Sequence, residues 1–200
     1  MTNLRRVPHY GVMGDRWGPA GPPDEAYSRV TDPQRYAPLH AIARAALHDL
    51  RRRFDVTAHA SSELDPNKTT QAPVTTLVPS NPASSPLSVT FTAFPGLIVG
   101  FGRTIREPVP VCGCDACDET VNDCAELLSD IVNAVITGSV GERVIHDREG
   151  WWHQTWRKTN LGSRSNRSRV TAEQANALSE KLGSDDARSA PWPPALNTTG

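Results

Sequence analysis

The chain has no long hydrophobic run, almost no lysine, few cysteines and no excess of charge of either sign. Its 200 residues contain no apolar stretch near the about 20 that a membrane-crossing helix needs. Met1 to Pro8 lacks the apolar core of a secretory leader. A soluble, unexported, cytoplasmic protein is therefore expected, with no membrane partner. With 21 basic and 22 acidic side chains the formal net charge is −1, so no chain-wide field draws the protein to nucleic acid or to an anionic surface. Lysine occurs only at Lys68, Lys158 and Lys181, which leaves arginine to supply the cations. Four cysteines within thirteen positions, Cys112, Cys114, Cys117 and Cys124, do not make a disulfide framework for a chain of this size. They are expected to be thiols or metal ligands. No phosphate-binding glycine loop and no Ser, His and Asp constellation is legible, and His40 and His48 lie too far apart on one helix to share an ion readily.

What the chain does have is a sequence of recognisable elements. Residues 1–30 mix Gly, Pro, Arg and aromatics without periodicity, and residues 1–23 read as a flexible arm. Asp32-Pro33 and Pro38 are helix-start signals, after which Leu39, Ile42, Ala43, Ala46, Leu47, Leu50 and Phe54 recur at helical spacing. A strand is expected to open at 54–58, followed by a long polar loop over 61–73 and a short strand at 74–78. Leu87, Val89, Phe91 and Ala93 alternate with polar residues, and Leu97, Val99 and Phe101 resume the pattern. Between them Phe94-Pro95-Gly96-Leu97 has the chemistry of a type II turn, so this pair predicts a hairpin. Val121, Cys124, Ala125, Leu128, Ile131, Val132, Val135 and Ile136 predict the second main helix, stopped at Gly138. A second, aromatic hairpin is expected from 143–146 and 151–157. Thr171 and Gln174 have the spacing of a capping box opening a short third helix that runs to Gly183. The expected class is α+β, an antiparallel sheet of hairpins packed by two main helices plus a short C-terminal helix. The expected organisation is one domain over 24–183 and a disordered tail over 184–200, onto which Trp192 could dock back.

The segment with chemical content is Cys112-Gly113-Cys114-Asp115-Ala116-Cys117. Three thiols in six residues can converge on one tetrahedral ion because the intervening glycine lets the backbone fold sharply. Zinc is the only cofactor this pattern suggests, and it takes four ligands. Cys124 lies seven residues beyond Cys117, about 10 Å along a helix, and fits that helix's apolar stripe, so it reads as a core residue. Asp115, Asp118, His146, His153 or water remain open as the fourth ligand. Two other readings compete: thiols that pin a tight turn without metal, and a redox dithiol of Cys114 and Cys117 at a helix start, which the antiparallel context and the adjacent Asp115 and Asp118 oppose.

As a strand, residues 151–156 place Trp151 and His153 on one face and Trp152 and Trp156 on the other, one pair for the core and one available for a binding face. Arg157, Lys158, Arg164, Arg167 and Arg169 make the segment 157–169 basic; a solvated loop is the favoured reading, and nucleic acid is not an expected partner.

Tyr27-Ser28-Arg29-Val30-Thr31-Asp32-Pro33, Ala37-Pro38-Leu39-His40, the run from Val89 to Leu97 and Cys112-Gly113-Cys114-Asp115-Ala116-Cys117-Asp118-Glu119 resemble an actinomycete family of unknown function, the 6226 family. The resemblance spans 24–160 and implies no activity and no catalytic residues. The preferred reading is a non-enzymatic binding or structural domain whose cysteine turn is structural or holds zinc. The alternatives are a thiol-redox or zinc-dependent enzyme using the same cysteines, and weak nucleic-acid binding through 157–169. A protein partner is left open.

Overall fold

The computed structural model describes residues 15–66, 70–159, 162–184 and 186–195. Among the described residues two antiparallel sheets and three α-helices make up the fold, in agreement with the α+β expectation. The first sheet runs in chain order through β1 (Val56–Leu64), β2 (Gln71–Pro79), β3 (Leu87–Phe91), β4 (Leu97–Phe101) and β5 (Ile105–Val109). The second has the order β8-β7-β6-β9, formed by β6 (Val140–Asp147), β7 (Gly150–Thr159), β8 (Gly162–Val170) and β9 (Asp186–Arg188). The helices are α1 (Pro38–Arg53), α2 (Val121–Ile136) and α3 (Ala172–Leu182). No helix among the described residues is long and apolar enough to cross a membrane.

The core lies between the inner face of the first sheet and α1 with α2. In the β3–β4 pair Leu87 lies opposite Phe101, Val89 opposite Val99 and Phe91 opposite Leu97, so all six side chains face one side, and all are buried. Against them α1 sets Leu39, Ala43, Leu47 and Leu50 at helical spacing, and α2 sets Leu128, Ile131 and Val135. Each large aliphatic side chain removed from water there contributes about 1.5–3 kcal/mol. The opposite face of the sheet is polar: Glu63 accepts a hydrogen bond from the Thr90 hydroxyl at 2.7 Å and pairs with Arg106. Glu63 is consequently held below the ordinary carboxylate range, first by Arg106 and then by Thr90. Thr120 caps α2, accepting from the Asp123 N–H while the Asp123 carboxylate accepts from the Thr120 N–H, and Thr171 with Gln174 does the same for α3.

The hairpin of β3 and β4, the aromatic hairpin of β6 and β7, and all three helices stand where the periodicity put them. Several expectations are corrected. The loop expected over 61–73 is mostly strand, because β1 extends to Leu64 and β2 begins at Gln71, in a register from Val56 opposite Pro79 to Leu64 opposite Gln71. Gly96 does not take the positive φ of a type II turn; the turn is closed by the Gly96 N–H on Phe94 O at 2.5 Å and the Thr92 N–H on Gly96 O at 3.3 Å. The segment read as a solvated loop contains β8, paired along its length with β7. Of the arm expected over 1–23, Asp15–Ala20 forms a short 3-10 turn and residues 1–14 lie outside the described residues; beyond it Asp24–Ser28 forms another, with Ala26 fully buried. In the tail expected to be disordered, β9 pairs with β6; Trp192 docks back as expected, buried, donating its indole N–H to Ser85 O at 2.7 Å and meeting the Phe54 ring edge-on, while residues 185 and 196–200 lie outside the described residues. Edge strands and returning segments of this kind are held by backbone hydrogen bonds, which need no apolar alternation.

Candidate metal centre

The cysteine loop is the connection between β5 and the cap of α2. A cis Val109–Pro110 peptide ends β5, and Gly113, at φ 77°, turns the chain sharply between Cys112 and Cys114. Asp118 takes the left-handed conformation at φ 48° and its N–H reaches Cys114 O at 3.3 Å, closing the loop. The sulfurs of Cys112, Cys114 and Cys117 all lie within 4.8 Å of one another. Zn–S bonds of about 2.3 Å in tetrahedral geometry place sulfurs about 3.8 Å apart, so this group could hold a metal ion after a contraction of about 1 Å. Cys114 is buried, Cys117 half-buried and Cys112 exposed, which gives the cluster one side toward solvent.

Backbone N–H groups are aimed at the sulfurs. Cys112 accepts from the Cys114 N–H, and Cys114 from those of Ala116 and Cys117. Burial pushes the Cys112 and Cys117 thiols up; Cys114 adds to this at both, and Cys112 adds to it at Cys117. At Cys114 burial acts in the same direction, but the Cys112 thiol and the two N–H groups outweigh it and the thiol is lowered. A thiophilic cation that bound here would displace the thiol protons.

The carboxylates of the segment are engaged elsewhere. Asp115 is fully buried and accepts from the Thr31 hydroxyl, from the Thr31 N–H at 2.8 Å and from Arg29 Nε at 3.0 Å, with Arg35 Nη1 at 4.0 Å. These bonds, Thr31 first, hold it down at about 2. Glu119 accepts three backbone N–H bonds, from Val111 at 3.0 Å, Cys112 at 2.9 Å and Gly113 at 3.1 Å. Asp118 pairs with Arg16 at 3.1 Å. The loop also receives the chain segment before α1: the Asp115 N–H donates to Arg29 O at 2.8 Å and the Ala116 N–H to Ala26 O at 3.1 Å, while Trp17 packs on the cluster of Ala26, Cys114 and Ala116.

Of the residues open as a fourth ligand, Asp115 is occupied as described. His146 stacks on Trp151 with centroids 4.4 Å apart, and His153 Nε2 lies 3.5 Å from Glu142 Oε2; neither joins the sulfur group. Cys124 is 1 % exposed in the main core, where burial pushes its thiol up to about 12, in keeping with the core reading. The redox arrangement loses its helix terminus, because α2 begins at Val121, beyond the last cysteine of the loop.

The sequence reading missed Glu142 and placed Arg157 in a solvated loop, whereas both are buried. Glu142 is 2 % exposed and accepts from the N–H groups of Arg103 and Thr104, from the Thr104 hydroxyl and from His153. Burial alone would raise its carboxyl, but His153 and the backbone donors outweigh that and lower it. Arg157, 3 % exposed, pairs with Glu107 of β5 and lies 3.8 Å from Asp130 of α2, tying β7 to both. Alternation along a strand could have flagged Glu142 as inward, but Arg103 and Thr104, which bond it, come from the turn between β4 and β5 of the other sheet.

The chain belongs to a family of unknown function (DUF6226), whose sequence profile matches residues 3–196. No curated protein and no solved structure matches it.

Proposed function

We propose that this member of the family is a non-enzymatic, metal-holding binding protein of the cytoplasm, in which Cys112, Cys114 and Cys117 take one thiophilic ion, zinc first, as three thiolates. The reading treats 24–183 as one α+β domain. It is carried by a single observation, the meeting of three sulfurs within 4.8 Å. The chemistry of the donor set supports it: sulfur selects zinc or a similarly thiophilic ion, and the neighbouring carboxylates that would admit a harder cation are bound to Thr31, Arg29 and the loop backbone. All four cysteines are free thiols, as ligation in a reducing compartment requires. A fourth donor would be water or a group from a partner, reached through the exposed Cys112. The ion's task is structural. It would stiffen the loop on which residues 26–31 are hung and fix the entry into α2.

Metal analysis of protein purified without chelator and then supplied with zinc tests this directly. About one equivalent retained through gel filtration, and an intense sulfur-to-cobalt charge-transfer band on cobalt substitution, are expected. Less than about one-tenth equivalent, with no such band, rejects the proposal and leaves the cysteines as turn-forming thiols.

A further inference from the structure

The second sheet has two unlike faces. Residues directly opposite one another in a ladder project to the same side, and the register assigns every side chain. One side carries Val144, Trp151, Val170 and Ala187 against α3, together with Glu142, His153 and Arg157 toward the first sheet. The other side carries Trp152, Gln154, Trp156 and Lys158 of β7, Arg143 and Ile145 of β6, Arg167 and Arg169 of β8, and Arg188 of β9.

Strand pairing therefore sorts the basic residues that looked like one run. Arg157 and Arg164 turn inward, where both meet Glu107. Lys158, Arg167 and Arg169 turn outward and are joined by Arg143 and Arg188 from distant parts of the chain. Five cations stand there against Asp147 and Asp186, an excess of three positive charges in a chain whose net charge is −1.

The tryptophans are interleaved with these cations. The Arg167 guanidinium lies 4.3 Å from the centre of the Trp152 ring. Trp156 has Arg143 at 5.8 Å and Arg188 at 5.6 Å. The Trp156 indole lies over Gly141, where any side chain would collide with it, so the ring rests against the sheet. Between the two rings Gln154 accepts both the Nε–H and an Nη2–H of Arg143, at 2.9 and 2.8 Å. The polar contacts described for these side chains stay on the sheet and its turn: Arg167 on Asp147, Arg169 on Glu149 O, Arg188 on Asp186, and Trp152 Nε1 on Asp147.

We infer that this outward face of the β8-β7-β6-β9 sheet binds single-stranded nucleic acid, with bases stacking at Trp152 and Trp156 and phosphates taken by Arg143, Arg167, Arg169 and Arg188. An excess of cations selects a polyanion. Indole rings lying along a sheet beneath exchangeable guanidinium groups offer stacking partners to unpaired bases, which a duplex, with its bases stacked internally, does not supply. An acidic peptide would use the charges and leave the rings idle. Among the described residues Arg167, Arg169 and Arg188 meet solvent-reached carboxylates and a backbone carbonyl, and Arg143 the Gln154 amide oxygen, contacts that a phosphate can replace. The inference is independent of the cysteine loop.

The test is titration of the full chain into a labelled oligothymidylate of about 12 nucleotides at low and moderate salt, read by anisotropy and by tryptophan fluorescence. Binding with quenching is expected, with a log affinity against log salt slope of about −2 for three net phosphate contacts. The charge-reversed variant Arg167→Glu/Arg188→Glu changes two exposed side chains, so it keeps the wild-type melting temperature and binds at least about tenfold more weakly. Trp152→Ala weakens oligonucleotide binding about tenfold but elutes from heparin at the wild-type salt concentration. The inference is overturned by an absence of binding at low salt, by an unchanged affinity in the charge-reversed variant, or by equal affinity for a duplex together with no effect of Trp152→Ala. The last outcome would reduce the face to a patch of charge.

Discussion

The cysteine loop and the outward face of the second sheet use charge in opposite ways. In the loop a buried carboxylate, Asp115, is enclosed by donors from one short segment, Arg29 to Thr31, and every acid has a defined structural partner. On the sheet the arginines are exposed, lean on aromatic rings and pair with carboxylates that water also reaches. Enclosure makes an interaction expensive to break, and exposure makes it exchangeable. The loop is therefore suited to holding its own chain in place, the sheet face to taking a ligand from outside.

The comparison breaks most readily at Asp115. Asp115→Asn removes the charge that Arg29 and Arg35 face and weakens the bonds from Thr31, so this variant is expected to lower the melting temperature most. Limited proteolysis should then cut first between residues 15 and 31. The same carboxylate predicts a pH response. Its folded pKa of about 2 lies below the ordinary value of 3.8, so its stabilisation is complete above about pH 4 and is lost as the pH falls from there toward 2. In Asp115→Asn the acid unfolding curve should flatten over that window. Next in size is the metal: zinc at about one hundred times its dissociation constant should stabilise the wild type by about 2.7 kcal/mol, measured by thermal unfolding with and without chelator, and should do nothing for Cys114→Ser.

Smaller effects sharpen the contrast. Gly141→Val drives a side chain into the Trp156 indole and should cost about 2 kcal/mol while displacing the ring, visible as a change in tryptophan emission. Thr120→Ala removes the cap of α2 and should cost about 1 kcal/mol in denaturant unfolding, whether or not the loop before it carries zinc. Arg167→Glu/Arg188→Glu should change stability by less than about 0.5 kcal/mol. A larger loss there would show that the outward arginines hold the sheet together and would erase the distinction between the regions.

Legibility in the sequence follows the physical origin of each element. The hairpin of β3 and β4 was readable because one face is buried and its apolar residues alternate, and α2 because seven of its residues face the interior. The cap of α3 was readable because Thr171 and Gln174 bond each other's backbone within four residues. Of β1 only the opening was readable, and β8 was not, both being edge strands with mainly exposed side chains; Gly162 to Val170 has hardly an apolar residue, and its order comes from the β7 backbone. β9 was hidden for the same reason, its partner lying some forty residues earlier at Gly141 to Arg143. At the candidate centre the three cysteines were evident from their spacing. The commitment of Asp115 to Thr31 and Arg29 was not, because those partners stand more than eighty positions away.

The sequence alone determined what depends on neighbours along the chain: the amphipathic helices, the helix caps, the β3–β4 hairpin and the crowding of three thiols into six residues. Tertiary structure decided which side chains share a space. It brought the three sulfurs together while turning the loop acids to other partners, and it divided a run of arginines between the interior and an open aromatic face. The reason is that periodicity and spacing record short-range sterics and hydrogen bonding, whereas strand register pairs residues of any separation, and a shift of one position exchanges the faces.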